Sequence, residues 1–157
     1  MKIENVFKKS GVFRFLILLM LISNMVYVSI EIYKSKISNS LVKNIEITEL
    51  TFTKLATLSS YALIFEIVFL VLSLVGIAMI FIKNYRPLFL SYVVFQLVLL
   101  TSMLALNNIL AWAFEAPAGN MSQLVFVPFA LVFAALFYLV VKNTFLKKES
   151  INYKVSQ

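Results

Sequence analysis

A chain of 157 residues that is 62% hydrophobic and only 13% charged is too apolar for a soluble domain, which averages about 45–50% apolar and roughly 25% charged residues. It has neither cysteine nor histidine, which excludes disulfide exchange, thiolate nucleophiles, haem ligation and the usual transition-metal sites. The net charge of +7 is spread over the ends of apolar runs instead of one aromatic-interleaved patch, so anionic lipid head groups are the expected counterions and nucleic acid is not an expected partner.

In chain order, residues 1–10 are polar and basic, with Lys2, Lys8 and Lys9. A first apolar run covers 11–33. A signal peptide has an apolar core of about 7–15 residues and a small-residue cleavage site. Here 15–30 is uncharged throughout and no A-x-A pattern follows, so we read a retained first span. Residues 34–57 are expected to form an outer loop carrying Lys34, Lys36, Lys43, Lys54, Glu46 and Glu49. Ile45 and Ile47 alternate with polar residues, then Leu50 and Phe52 slip register. That pattern predicts neither a clean strand nor a clean helix; an interfacial amphipathic turn is the expectation, a flexible loop the alternative.

A second span is predicted over about 58–82. The hinge Lys83-Asn84-Tyr85-Arg86-Pro87 then turns at a membrane surface, and Pro87 opens a third span, 87–113, where a helix's first position needs no N–H. Glu115-Ala116-Pro117-Ala118-Gly119-Asn120 supplies turn residues and two breakers. The fourth span, about 121–142, contains Pro128, which predicts a kink whose freed carbonyl needs another partner. Residues 143–157 are expected to be a cytoplasmic tail. Each run meets the ~20 mostly apolar residues that a spanning helix needs.

Ten of the fourteen Lys and Arg residues flank the N-terminus, the hinge and the C-terminal tail, which predicts both termini in the cytoplasm. Lys8, Lys9, Arg14, Lys83, Arg86, Lys142, Lys147 and Lys148 are the expected head-group contacts. Tyr33, Tyr61 and Trp112 are expected near the outer interface, Tyr85 and Tyr138 near the inner one. The abundance of Lys, Ile, Asn and Phe hints at an AT-rich bacterial genome.

Glu66 is the only acidic group deep in any apolar run, about 12 Å along the axis from Leu58. An ionised carboxylate there costs at least ~2.5–3.5 kcal/mol. It is either a proton, cation or partner-recognition site, or a protonated or hydrogen-bonded acid that fastens two helices. Asn24, Ser102 and Asn107 complete the candidate intramembrane polar site; Gln96, Thr101 and Asn108 dot the same third span. Such residues usually make interhelical hydrogen bonds worth about 0.6 kcal/mol each. Ala130 and Ala134 form a small-xxx-small face suited to helix packing, within the chain or between copies, and Gly76 with Ser73 has similar potential.

Catalysis has little to work with. No histidine is present to act as base, no G-x-S-x-G elbow or phosphate-binding glycine loop occurs, and there is no aspartate for an intramembrane aspartyl enzyme. Seven scattered acids make a poor hard-metal site. Neither an enzyme nor a cofactor is expected.

The stretches Glu66 in the second span, Lys83-Asn84-Tyr85-Arg86-Pro87, and Val141-Lys142-Asn143-Thr144-Phe145 resemble an uncharacterised bacterial family of four-span inner-membrane proteins, a domain of unknown function. The resemblance covers roughly residues 11–147. Val140 stands where that family tends to have Arg, and an aromatic-Pro-Tyr cluster earlier in its last span has no counterpart. The resemblance implies a topology and no activity.

The expectation is therefore an all-α, four-transmembrane-helix bundle in a bacterial inner membrane, forming one domain. Its expected role is non-enzymatic: a partner-binding, regulatory or protective component, with a membrane protein or a second copy as partner. The alternative is a small transporter or channel subunit using Glu66, and a third is an interfacial lipid enzyme.

Overall fold

The computed structural model describes residues 11–43, 49–79, 82 and 88–155, with side chains over 11–41, 49–79, 82 and 88–141. Four helices account for nearly all of them: α1 (Gly11–Lys43), α2 (Glu49–Ala78), α3 (Phe89–Ala113) and α4 (Ala118–Val155). No strand occurs among the described residues. All four helices are long and apolar enough to cross a bilayer, the architecture of a multi-pass membrane protein.

The helices outrun the apolar segments. Residues 34–43 and 49–57, expected as loop, extend α1 and α2, and α4 continues through Pro128 to Val155 instead of ending near 142. The chain has no glycine or proline between Gly11 and Gly76, so nothing in 34–43 or 49–57 breaks a helix once it has started. Ser40, Thr53 and Thr57 turn their hydroxyls back onto carbonyls of their own helices, which suits both water and lipid. At about 1.5 Å per residue, α1 is about 50 Å long, well beyond the ~30 Å hydrocarbon layer.

Neighbours along the chain run antiparallel. Tyr27 of α1 meets Glu66 of α2, Ser73 of α2 meets Gln96 of α3, and Asn107 of α3 meets the start of α4 at Met121. Helices α1 and α3 therefore run parallel, with Phe13 on Tyr92, Asn24 on Asn107 and Ser35 on Glu115. The largest apolar core joins Met20, Tyr27, Phe69, Leu100, Met103, Val125 and Val132, all fully or nearly buried. A second, smaller cluster of Phe13, Leu16, Ile17 and Tyr92 fills the end where α1 starts.

The buried stripe of α1 explains how the extra turns are held. Phe13, Ile17, Met20, Asn24, Tyr27, Glu31 and Ser35 are all buried and follow one another at three- or four-residue steps, a single helical face. The first half of that face is apolar and the second half polar. Hydropathy falls beyond Tyr33, but the inward-facing seam continues.

The α3–α4 turn is a Schellman motif. The Ala116 N–H donates to Ala111 O at 2.8 Å and the Glu115 N–H to Trp112 O at 3.4 Å, the paired bonds that close a helix C-terminus around a left-handed residue. That residue is Glu115, with φ 52°, where glycine is the usual choice because it has no β-carbon to clash. Ser35 and Asn39 of α1 donate to the Glu115 carbonyl at 3.1 and 3.5 Å, so the Glu115 backbone itself is fastened to α1. Glu115→Gly is expected to raise stability by about 0.5–1 kcal/mol, the relief of left-handed strain less the added chain entropy. Thermal unfolding in detergent micelles measures it; a lower midpoint would mean that the Glu115 side chain contributes more than its strained backbone costs.

The helix pairings also place Tyr33, Tyr61 and Trp112 at about one level near this turn, all exposed on the outside of the bundle. Amphipathic rings concentrate at such a level, where hydrocarbon gives way to head groups. Tyr85, expected at the opposite interface, lies outside the described residues; Tyr138 is exposed on α4.

Candidate functional site

The polar side chains form two layers. The first lies one to two turns below the level of Tyr33, Tyr61 and Trp112. Its centre is the Tyr27 hydroxyl, between the Asn120 carbonyl at 2.7 Å and Glu66 Oε1 at 3.0 Å. One phenolic proton serves two acceptors, and the contact ties α1, α2 and α4 together. One turn along α1, Glu31 is 3% exposed. Its Oε1 pairs with Lys34 Nζ at 2.7 Å and its Oε2 accepts from the Asn120 amide at 3.3 Å. A buried carboxylate is tolerable only when paired and hydrogen-bonded; the cation arrives from three residues away on the same helix, spacing that puts both side chains on one face.

Just beneath, Asn24 and Asn107 form a reciprocal amide pair. Asn24 Nδ2 donates to Asn107 Oδ1 at 3.3 Å, and Asn107 Nδ2 donates to Asn24 Oδ1 at 3.0 Å. The second Asn107 N–H reaches Met121 O at 3.0 Å, so the pair adds α3 to the junction. The second layer is smaller and closer to the start of α1. Gln96 Nε2 donates to Ser73 Oγ at 2.9 Å beside Met20, and Tyr92 lies stacked on Phe13 with ring centroids 4.2 Å apart. The Tyr92 hydroxyl and Gln96 Oε1 are buried with no hydrogen-bond partner among the described residues. Phe69, Leu100 and Met103, all buried, separate the two layers.

Three of the four polar residues picked from sequence therefore meet in one region: Asn24 and Asn107 pair, and Glu66 joins through Tyr27. Ser102 does not. It is exposed on the outer face of α3 and donates to Val98 O of its own helix, because five residues from Asn107 is about 140° round a 3.6-residue helix. Ala130 and Ala134 are both exposed on α4, so they make no packing face within the bundle. Arg14 is exposed near the start of α1. Lys8, Lys9, Lys83 and Arg86 lie outside the described residues, as do the side chains of Lys142, Lys147 and Lys148.

Searches against protein-family models, curated proteins and solved structures find no match. What the site can do must come from its geometry.

Tyr27, Glu31 and Asn120 are the residues that sequence reasoning passed over. Glu31 looks like an interfacial acid beside Lys34, and Asn120 like a turn residue. The available signal was spacing: Asn24, Tyr27, Glu31 and Ser35 continue the buried face begun by Phe13, Ile17 and Met20.

One part of the site faces outward. Glu66 is half-buried and lies at a cleft between α2 and α4 of about 160 Å³, lined by Glu66, Ile67, Leu70, Gln123, Leu124, Val127 and Pro128. Tyr27 occupies its Oε1, but among the described residues no donor reaches Oε2. Gln123 is exposed and makes no hydrogen bond among the described residues. Glu66 is five residues past Tyr61, about 7.5 Å deeper along the axis. This places a carboxylate and a primary amide together, below the aromatic level, on the surface that lipid would cover.

Proposed function

We propose that the protein is a non-enzymatic, multi-pass component of a bacterial cytoplasmic membrane, both termini in the cytoplasm, that regulates or protects a membrane-protein partner by binding it at the α2–α4 cleft. The observation that carries this is the contrast between inner and outer polar groups. Inside, the buried Asn24, Asn107, Tyr27 and Glu31 are satisfied by one another, by Lys34 and by the backbone and amide of the more exposed Asn120, and stitch the bundle. Outside, Glu66 Oε2 and Gln123 face the cleft without a partner among the described residues. Polar groups turned toward hydrocarbon are costly, and a partner that supplies their hydrogen bonds removes that cost. The distribution of lysines supports the orientation.

A transporter would use polar groups at successive depths. The apolar shelf of Phe69, Leu100 and Met103 between the two polar layers supports binding over conduction.

Photo-crosslinking in intact cells tests the proposal. A benzoyl-phenylalanine at Ile67 or Val127, on the cleft, is expected to give one discrete protein adduct that vanishes with Glu66→Leu; the same probe at Val98 or Ile109, on the exposed face of α3, is expected to give none. Equal labelling from both faces, or adducts indifferent to Glu66, would remove the basis for the proposal. In the same cells, a single cysteine at residue 45 should react with an impermeant maleimide from outside.

A further inference from the structure

The cleft also carries information about its occupant. It has room for about five water volumes, enough for one long side chain and too little for a two-chain lipid. Its floor is apolar, formed by Ile67, Leu70, Leu124, Val127 and Pro128, and its polar groups gather around Glu66 and Gln123. Among the described residues no cation pairs with the Glu66 carboxylate. Among the described residues the one ion pair is Lys34 with Glu31, and the nearest cation along α2, Lys54, is twelve residues from Glu66, about 18 Å along the axis. A second copy of the chain is a poor source of the missing charge. Its described cations, Arg14, Lys34, Lys36 and Lys54, lie toward helix ends, and its Lys34 is already held by Glu31.

We infer that the cleft receives a lysine or arginine side chain from a transmembrane helix of a different protein, positioned about one and a half turns below the outer aromatic level. The aliphatic stem lies along Leu70, Leu124 and Val127, and the charged head meets Glu66 Oε2 and the Gln123 carbonyl. Both Lys and Arg have this form, an apolar stem carrying a cationic tip, and a charge-assisted hydrogen bond is roughly twice as strong as a neutral one. The inference rests on the partner-binding proposal above and adds the chemistry of the contact.

The test uses the full-length protein in phosphatidylcholine vesicles and a labelled synthetic helix as probe. The probe is a 24-residue Leu/Ala peptide with tryptophan at both ends and one Lys five residues inside one of them; its control has Leu in place of that Lys. Energy transfer is expected to show the Lys peptide binding at least tenfold more tightly than the Leu peptide. Glu66→Gln should erase the difference, and so should Val127→Trp, which fills the cleft while keeping the acid. Circular dichroism confirms that both variants retain the helical content of the parent. Equal binding of the two peptides, or a Lys preference that survives Glu66→Gln, overturns the inference. Loss of the preference when phosphatidylethanolamine replaces phosphatidylcholine would assign the cleft to a lipid amine and also overturn it. Energy transfer between two copies of the protein that Glu66→Gln abolishes would assign it to self-association, with the same consequence. The two failures are distinguishable: an adduct without a Lys preference leaves the partner proposal standing and removes this one, whereas absence of the adduct removes both.

Discussion

Gly76→Ala is expected to destabilise the bundle by about 1–2 kcal/mol, against the usual sign of that substitution. In an exposed helix interior, alanine is about 1 kcal/mol better than glycine. Here a β-carbon at residue 76 would overlap the Tyr92 hydroxyl and come within 2.9 Å of its Cε1 and Cζ atoms. A tyrosine at the surface would swing aside. Tyr92 is 0% exposed and stacked on Phe13, so the overlap must be relieved by moving helices. Overpacking of this kind costs typically 1–3 kcal/mol, enough to reverse the propensity gain. The check is a pair of unfolding curves, one in the parent and one in a Tyr92→Leu background, where the ring is gone and the same substitution should become neutral or stabilising. If Gly76→Ala stabilises the parent, α2 and α3 do not meet as closely as described.

Asn107→Ala is expected to cost about 2–3 kcal/mol. It deletes three hydrogen bonds and leaves the Asn24 amide facing apolar surroundings. Single interhelical bonds in membranes average only about 0.6 kcal/mol, but orphaning a buried partner adds roughly 1–3 kcal/mol. Asn24→Ala alone should cost less, because the Asn107 amide keeps its bond to Met121. The double variant should fall short of the sum of the two by about 1 kcal/mol, since the second deletion removes an already unpaired group. Strict additivity in a double-mutant cycle would mean that the two amides do not interact.

The fold was legible where hydropathy alone decides it. Four runs of apolar side chains partition into lipid wherever they sit in the chain, and Pro117 with Gly119 marks one turn between them. The extensions of α1 and α2 were not legible because hydropathy reports where lipid ends, while helix continuation depends on the lack of a breaker. Asn24, Asn107 and Glu66 stood out as polar groups in apolar surroundings. How they pair did not, because the pairing depends on the rotation of helices far apart in sequence. Ser102 and Asn107 are equally conspicuous in composition, and only the turn of α3 sends one out and the other in. Glu31 was hidden by its neighbours: an acid beside a lysine at the end of a run looks like a water-facing pair, yet it is among the most buried groups in the molecule.

The polar seam of α1 has a consequence for biosynthesis. Tyr27 and Glu31 find their partner in Asn120, and Asn24 finds its own in Asn107, so α1 is completed by α3 and α4, which are synthesised after it. At about 5–20 residues per second, the intervening chain takes roughly 5–20 s to appear. For that interval the Asn24 amide and the Tyr27 phenol lack their partners from α3 and α4, while Glu66 of α2 holds the phenol and Lys34 of α1 itself holds the Glu31 carboxylate. Until α3 and α4 arrive, that polar face is the costliest part of the chain to leave facing hydrocarbon.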